Sequence, residues 1–291
     1  MATPVQAGKR LPIIDMLRGW ALIGVVIMNY IEFFKPSGPF PGFDKVIFYP
    51  LMIVFRTKSW MLLSFLFGYG FSIQMGRRSG EKGADLFFIR RMAVLLLISF
   101  VNIALFYGDI LHDYALLGVV LLLLIRIPER IWPWISALLL LAPIPFGYFF
   151  PGVMNYEDIW SIPGNSAVYM GRDLLAIFQL NFRECWRLFA SFEYGVDVHL
   201  VMLSMMLLGV YSERMGLFQR LSEPRYRKRL FRVSMVGSVI GLIWTIVLRI
   251  FLRRAMIGYT SWFVAQFLLG VFFMMALIML WNAGKLRGFF A

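Results

Sequence analysis

Long apolar runs alternate with short polar or basic segments along the whole chain. A helix needs roughly 17–25 apolar residues to cross the hydrocarbon core of a bilayer, and these runs are continuous rather than alternating as in a β-barrel. The pattern therefore predicts an all-α fold, a polytopic transmembrane helical bundle. About eight spans are predicted, at residues 14–34, 59–75, 92–107, 114–126, 132–150, 197–213, 233–252 and 260–281.

Three connecting segments have patterns of their own. Residues 46–57 are apolar but are broken by Arg56 and Lys58, which indicates an interfacial or re-entrant piece. The long polar stretch before the sixth span contains a predicted amphipathic helix near 167–190. Residues 213–232 form a predicted loop, and its basic run from Arg220 to Arg232 is predicted to contact anionic lipid headgroups.

The first span carries polar residues that are unusual in an apolar helix. Asp15 lies three residues before Arg18, so the two can pair. Arg18 and Asn29 are 11 residues apart, so their directions differ by about 20° and they lie about 16 Å apart along one face. Charged residues in a membrane usually face a bundle interior or a wet cavity. The stripe predicts an inward, substrate-binding face, with a structural polar seam between helices as the alternative.

Composition and charge narrow the class of protein. Hydrophobic residues make up 60% of the 291 positions, whereas a soluble domain has about 45–50%. The formal net charge is +13, and in a membrane protein basic residues hold cytoplasmic loops in place. With the N-terminus inside, 18 Lys and Arg residues fall in inner segments and 10 in outer segments. We predict a cytoplasmic N-terminus, the lipid bilayer as a partner, and no nucleic acid.

Few residues suit disulfide or metal chemistry. Cys185 is the single cysteine, which excludes an intrachain disulfide and a cysteine metal cluster. His112 and His199 are the two histidines and leave little room for a zinc site, so no metal is predicted.

Polar residues outside the first span mark three further candidate positions. Asp109 reaches His112 if their turn is helical, and a carboxylate that orients an imidazole makes a general base; the alternative is a solvated turn. Asp197 flanks the sixth span and could bind an acceptor, or it could simply suit the positive end of a helix dipole. Arg90 and Arg91 could bind the phosphates of coenzyme A, with membrane topology alone as the alternative.

Several ordered blocks of sequence resemble the YeiB-like family of bacterial membrane proteins of unknown function. Together they cover most of the chain from residue 10 to about 220. The blocks are DMLRGWALIGVVIMNY at 15–30, KSWMLLSFLFGYGFSIQ at 58–74, FIRRMAVLLL at 88–97, YGDILHDYALLGVVLLLL at 107–124 and DVHLVMLSMMLLGVYSERMGL at 197–217.

That family is similar in its first helix to the membrane acetyltransferases that acetylate heparan glucosamine. Those enzymes move an acetyl group from cytosolic acetyl-CoA to a sugar amine on the far side of the membrane. Their pattern of an Asp, an Arg-Gly pair and an Asn-Tyr pair is matched by Asp15, Arg18-Gly19 and Asn29-Tyr30. The resemblance implies a catalytic role for Asn29. The catalytic His of those enzymes lies in the next loop, where this sequence has Phe40 and no His between residues 35 and 58.

The resemblance implies a membrane-bound acyl-CoA-dependent acyltransferase in a bacterial inner membrane. Acetyl-CoA is the expected donor, and an extracytoplasmic sugar, lipid or envelope group is the expected acceptor. The alternatives are a transporter or channel for a small solute, and a catalytically inactive scaffold. The expected catalytic residues are Asn29, Asp109 and His112, and the expected binding residues are Asp15, Arg18, Arg90, Arg91 and Asp197.

The organisation of the chain is predicted to be simple. Residues 1–291 are expected to form a single transmembrane domain. Members of the resembled family continue with further helices beyond the point where this sequence stops, so those C-terminal helices are expected to be missing. A homo-oligomer is compatible with such a bundle.

Overall fold

The computed structural model describes residues 11–33, 42–150, 165–251, 262–286 and 288. Every regular element in these ranges is helical, which confirms the all-α prediction. Phe40 lies outside the described ranges. The helices are α1 (Pro12–Phe33), α2 (Gly42–Phe55), α3 (Lys58–Arg77), α4 (Ala84–Leu105), α5 (Leu111–Leu124), α6 (Trp132–Leu141), α7 (Pro143–Phe149), α8 (Asn165–Met170), α9 (Leu174–Ala190), α10 (Phe192–Arg214), α11 (Leu217–Arg220), α12 (Pro224–Phe251) and α13 (Trp262–Asn282).

Six helical segments among the described residues are long and apolar enough to cross a membrane. They are Pro12–Ile31, Val46–Arg77, Ala84–Leu105, Glu129–Phe149, Phe192–Arg214 and Trp262–Asn282. The other two predicted spans correspond to α5, an apolar helix of 14 residues, and to the second half of α12. The protein is therefore a multi-pass helical membrane protein, with six candidate crossings among the described residues where the sequence predicts about eight.

The start of α12 corrects the predicted loop at 213–232. Residues 224–232 form the first turns of this 28-residue helix instead. Pro224 occupies the first helical position, where its missing N–H leaves no hydrogen bond unmade, and the Arg and Lys residues that follow are good helix formers. The loop was predicted because residues 224–232 carry many charges. Charged residues are nevertheless compatible with a helix that lies outside the apolar part of the membrane.

The chain forms two compact units, which we describe separately. The terminal unit contains residues 1–73 and 208–291. A close helix contact within it requires glycine, because a Cβ at Gly209 would lie 2.0 Å from the backbone oxygen of Phe65. Small residues let membrane helices approach in this way.

The central unit contains residues 74–207. Two reciprocal hydrogen bonds join α6 to α10: the Ser136 hydroxyl donates to the Ser204 carbonyl at 2.9 Å, and the Ser204 hydroxyl donates to the Ser136 carbonyl at 2.7 Å. The Asn181 amide of α9 donates to the Ala104 carbonyl of α4 at 2.9 Å. These contacts hold α4, α9 and α10 in place around the turn that precedes α5.

Candidate functional site

The most concentrated group of buried polar side chains in the central unit lies at the start of α5. Asp109 accepts hydrogen bonds from the backbone N–H of Leu111 at 3.1 Å and of His112 at 3.4 Å, so it caps the helix. Asp109, His112 and Asp113 are at most 4% exposed. This burial rules out the solvated turn that the sequence left open.

Asp109 is held by side chains from α4. The Ser99 hydroxyl and the Asn102 amide both donate to its carboxylate, and His112 Nδ1 lies 3.5 Å from its Oδ2. Burial by itself would raise the pKa of Asp109, but the hydrogen bonds from His112, Ser99 and Asn102 outweigh it and lower the pKa. The carboxylate is therefore ionised at neutral pH and fixed in orientation.

His112 lies between two carboxylates. Its Nδ1 faces Asp109, and its Nε2 lies 3.4 Å from Asp113 Oδ1. The Cys185 sulfur of α9 lies 3.8 Å from the same Nε2. Both ring nitrogens of His112 thus face partners within the protein.

Asp113 is the centre of the cluster. Its side chain is fully buried, and it accepts a hydrogen bond from the Tyr194 hydroxyl at 3.0 Å. His199 Nε2 lies 3.0 Å from its Oδ1. Carboxylate oxygens act as hydrogen-bond acceptors, so in this contact an Nε2–H of His199 is the donor. Both histidines of the chain therefore converge on one carboxylate.

Aromatic rings enclose the two imidazoles. The ring of Phe189 lies 5.3 Å from that of His112 and 4.6 Å from that of His199, measured between centroids. Trp186 and Tyr194 pack against His112 and His199, respectively. Such an environment shields His112 from water and leaves the His199 side chain 14% exposed, and it strengthens the electrostatic interactions inside it. We name the group formed by Asp109, His112, Asp113, Tyr194 and His199 the acid–histidine cluster.

The lowered pKa of Asp109 predicts a pH dependence of stability. Its folded-state pKa lies below the unfolded value of about 3.9, so its contribution is fully present above that pH and is lost as the pH falls through the folded-state pKa. We expect the unfolding midpoint of the detergent-solubilised protein to fall as the pH drops below about 4, and Asp109→Asn to flatten this dependence. Asp85→Asn, which removes a half-exposed carboxylate, is the control and should leave the slope unchanged. Equal slopes for wild type and Asp109→Asn would contradict the prediction.

The other residues predicted in the central unit have different surroundings. Asp197 is fully buried in a π-helical turn, Gly195–His199, and among the described residues neither of its carboxylate oxygens has a hydrogen-bond partner. Arg90 and Arg91 are exposed on α4, and Arg91 donates to Gln74. The structure thus does not bring these residues into the acid–histidine cluster, and their binding roles stay predictions.

The polar stripe of α1 belongs to the terminal unit. Arg18 Nη1 lies 3.5 Å from Asp15 Oδ1, with the two side chains 41% and 45% exposed. Asn29 is half-buried. The buried face of α1 consists of apolar residues such as Leu17, Ala21 and Met28. The stripe therefore lies at the border of the packed face. An inward-facing stripe, as the sequence predicts, would lie at the centre of that face.

Sequence reasoning missed three members of the cluster as site residues: Asp113, Tyr194 and His199. The signal in the sequence was the rarity of histidine, because His199 is one of only two histidines and lies two residues after Asp197 at the start of an apolar span. It also missed Lys58, which was noted only as a break after the apolar segment 46–57. Lys58 is 2% exposed in the terminal unit and donates to Gln266 at 2.5 Å. Among the described residues, no group of three or more His, Cys, Asp or Glu could hold a metal ion.

Comparison with protein-family models shows which family this chain belongs to. The model for the catalytic region of heparan-alpha-glucosaminide N-acetyltransferase matches residues 10–164, which is more than half of the chain. The chain belongs to this family. The matched range includes the polar stripe of α1 and the residues Asp109, His112 and Asp113.

Bacterial relatives place the chain in the YeiB-like branch. The uncharacterized protein YxaH of Bacillus subtilis (strain 168) is 30% identical, over 82% of this chain and 66% of the relative. An uncharacterized 39.9 kDa protein of Bacillus acidopullulyticus is 30% identical over 47% of this chain and 40% of the relative. The uncharacterized protein YeiB of Escherichia coli (strain K12) is 24% identical over 79% and 62%. The chain thus spans about two thirds or less of these relatives, and no solved structure gives a significant match.

Proposed function

We propose that this protein is a membrane-bound acyltransferase that moves an acyl group from acyl-CoA to an amine or hydroxyl of an extracytoplasmic acceptor. The family match over residues 10–164 carries the proposal. The acid–histidine cluster supports it, because a buried imidazole that is oriented by carboxylates is suited to proton transfer.

The chemistry has simple requirements. The acceptor O–H or N–H loses its proton to a base, and the oxygen or nitrogen attacks the thioester carbonyl carbon. The C–S bond then breaks, and coenzyme A leaves as a thiol after gaining a proton. In this proposal the acid–histidine cluster, which contains the predicted residues Asp109 and His112, serves the acceptor. The Asn29 amide donates to the carbonyl oxygen as negative charge develops on it.

The geometry of α4 suggests how a donor could reach the cluster. Arg91 and Asn102 are 11 residues apart on this helix, so they lie about 16 Å apart and within about 20° of the same direction. Asn102 contacts Asp109. Phosphates bound at Arg91 would therefore leave a pantetheine arm to extend along α4 towards the cluster. Arg90 points about 100° away from Arg91, so its contribution should be smaller.

This geometry predicts the effect of removing the two arginines on donor binding. We expect saturable binding of acetyl-CoA to the detergent-solubilised protein, measured by calorimetry with coenzyme A as the comparison ligand. Arg91→Gln should weaken binding by about tenfold, because a hydrogen bond to a charged group contributes about 1.5–3 kcal/mol. Arg90→Gln should weaken it less, and the double variant should show the largest loss.

The control is Arg225→Gln/Arg229→Gln, which removes two exposed charges from the basic start of α12. It should bind acetyl-CoA as wild type does. Equal weakening in the control would mean that only overall charge matters, and would contradict a phosphate site on α4. Absence of acetyl-CoA binding by well-folded wild type, together with solute counterflow in proteoliposomes, would favour a transporter.

The remaining assignments belong to the same proposal. We place the protein in a bacterial inner membrane as a single transmembrane domain, with a cytoplasmic N-terminus so that Arg91 faces the cytosolic donor. Arg18, paired with Asp15, would hold a phosphate or carboxylate of a substrate, and Asp197 would bind the acceptor. The acceptor is a sugar, lipid or other envelope group, and self-association into a homo-oligomer is compatible with this arrangement.

A further inference from the structure

The two imidazoles of the acid–histidine cluster are not equivalent. Both nitrogens of His112 face carboxylates, Nδ1 towards Asp109 and Nε2 towards Asp113. His199 has only its Nε2 in contact with a carboxylate. Within the part of the chain that the structure describes, no hydrogen bond engages His199 Nδ1. His199 therefore keeps one nitrogen available for chemistry, whereas His112 does not.

Exposure separates the histidines in the same direction. The His199 side chain is 14% exposed, and that of His112 is 3% exposed. A base must come within hydrogen-bonding reach of the proton that it removes. The partly exposed imidazole is therefore better placed to meet this requirement than the enclosed one.

The backbone beside His199 Nδ1 also leaves it room. Gly195 lies one turn earlier in the π-helical turn Gly195–His199. A Cβ at Gly195 would lie 3.9 Å from His199 Nδ1, which is van der Waals contact. The absence of a side chain at residue 195 therefore leaves more room beside Nδ1, and π-helical turns occur frequently at functional sites.

Asp113 gives His199 the tautomer that a base requires. In the neutral imidazole, an Nε2–H that donates to Asp113 Oδ1 leaves the lone pair on Nδ1. The Tyr194 hydroxyl fixes the other carboxylate oxygen, and the Phe189 ring packs against the imidazole. A buried carboxylate on one nitrogen and a free lone pair on the other is the arrangement by which Asp–His pairs accept protons.

We propose that His199 Nδ1 is the base that takes the proton from the acceptor, with Asp113 as its positioning residue and His112 as a fixed structural link between Asp109 and Asp113. This assignment rests on the proposed acyl transfer. The acceptor X–H bond breaks, its proton passes to His199 Nδ1, and its electron pair forms the new bond to the thioester carbonyl carbon. The thiolate of coenzyme A leaves with the C–S electron pair and recovers the proton from His199.

The first experiment does not depend on enzymatic activity. Diethyl pyrocarbonate acylates the free nitrogen of an imidazole, and the full chain offers only His112 and His199. We expect mass spectrometry of the reconstituted wild type to show carbethoxylation of His199, with His112 protected. Asp113→Asn should slow this labelling by loss of orientation, and Gly195→Ala should slow it by placing a methyl group near Nδ1. Preferential labelling of His112 would overturn the assignment.

The second experiment measures acyl transfer from acetyl-CoA to added amine and hydroxyl acceptors. His199→Gln keeps an N–H for Asp113 and should reduce turnover by about 10²–10⁴-fold, whereas donor binding should be unchanged. Full turnover by a folded His199→Gln variant would overturn the assignment and leave the proposed function intact. Absence of turnover in wild type would count against the proposed function, and the labelling pattern would then decide by itself which imidazole is reactive.

Discussion

Replacing Asp113 by alanine should destabilise the protein by about 3–5 kcal/mol, which is the usual result of removing one partner from a buried charged network. The change removes the carboxylate that contacts three groups: the Tyr194 hydroxyl, His199 Nε2 and His112 Nε2. Each buried donor that loses its partner costs about 1–3 kcal/mol. Equilibrium unfolding in mixed micelles, followed by circular dichroism, would measure the loss.

A matched aspartate provides the control for this variant. Asp173 caps α9 by accepting hydrogen bonds from the backbone N–H of Leu175 and Ala176 at an exposed position. Asp173→Ala should cost about 1 kcal/mol, as loss of a helix cap usually does. Asp113→Asn should lie between the two alanine variants, because its amide keeps one acceptor oxygen. Similar losses for Asp113→Ala and Asp173→Ala would show that the cluster does not form as described.

Replacing Asn29 by alanine should lower acyl transfer by about 10²–10³-fold, the size of effect seen when one donor to a developing oxyanion is removed. Stability and the amount of protein in the membrane should change little, because Asn29 is only half-buried near the end of α1. The measurement is acetyl-CoA turnover per mole of protein in proteoliposomes, together with detergent-solubilised yield.

Asn282→Ala is the comparison for Asn29→Ala. Asn282 closes α13 and donates to the Ile278 carbonyl at 2.8 Å, a local structural contact. Its loss should leave turnover unchanged. Wild-type turnover in Asn29→Ala would remove Asn29 from the mechanism, and a collapse of protein yield would assign it a structural role instead.

Apolar run length alone predicted the fold class and the place of most helices. Each membrane helix satisfies its own backbone hydrogen bonds, so its existence depends little on distant residues. Dependence on local sequence alone also explains the wrong prediction of a loop at 213–232. The basic residues at the start of α12 were predicted to form a loop because they are unsuited to the membrane interior, but they form the first turns of the helix, outside its apolar part. The family was also predictable, since its blocks are short and contiguous.

The acid–histidine cluster was only half predictable. Asp109 and His112 are three residues apart, so helix geometry alone brought them together. His199 contacts Asp113 across 86 residues of sequence, a separation that no local period encodes.

The sequence by itself determined that this is a helical membrane protein of the acetyltransferase-related family, with a polar stripe on its first helix, because these properties depend on composition and local periodicity. Only the tertiary structure decided which polar residues are buried together and which imidazole keeps a free nitrogen. Those properties arise from the packing of α4, α9 and α10 around the start of α5, where Ser99, Asn102 and Tyr194 supply the hydrogen bonds that make burial of two carboxylates possible.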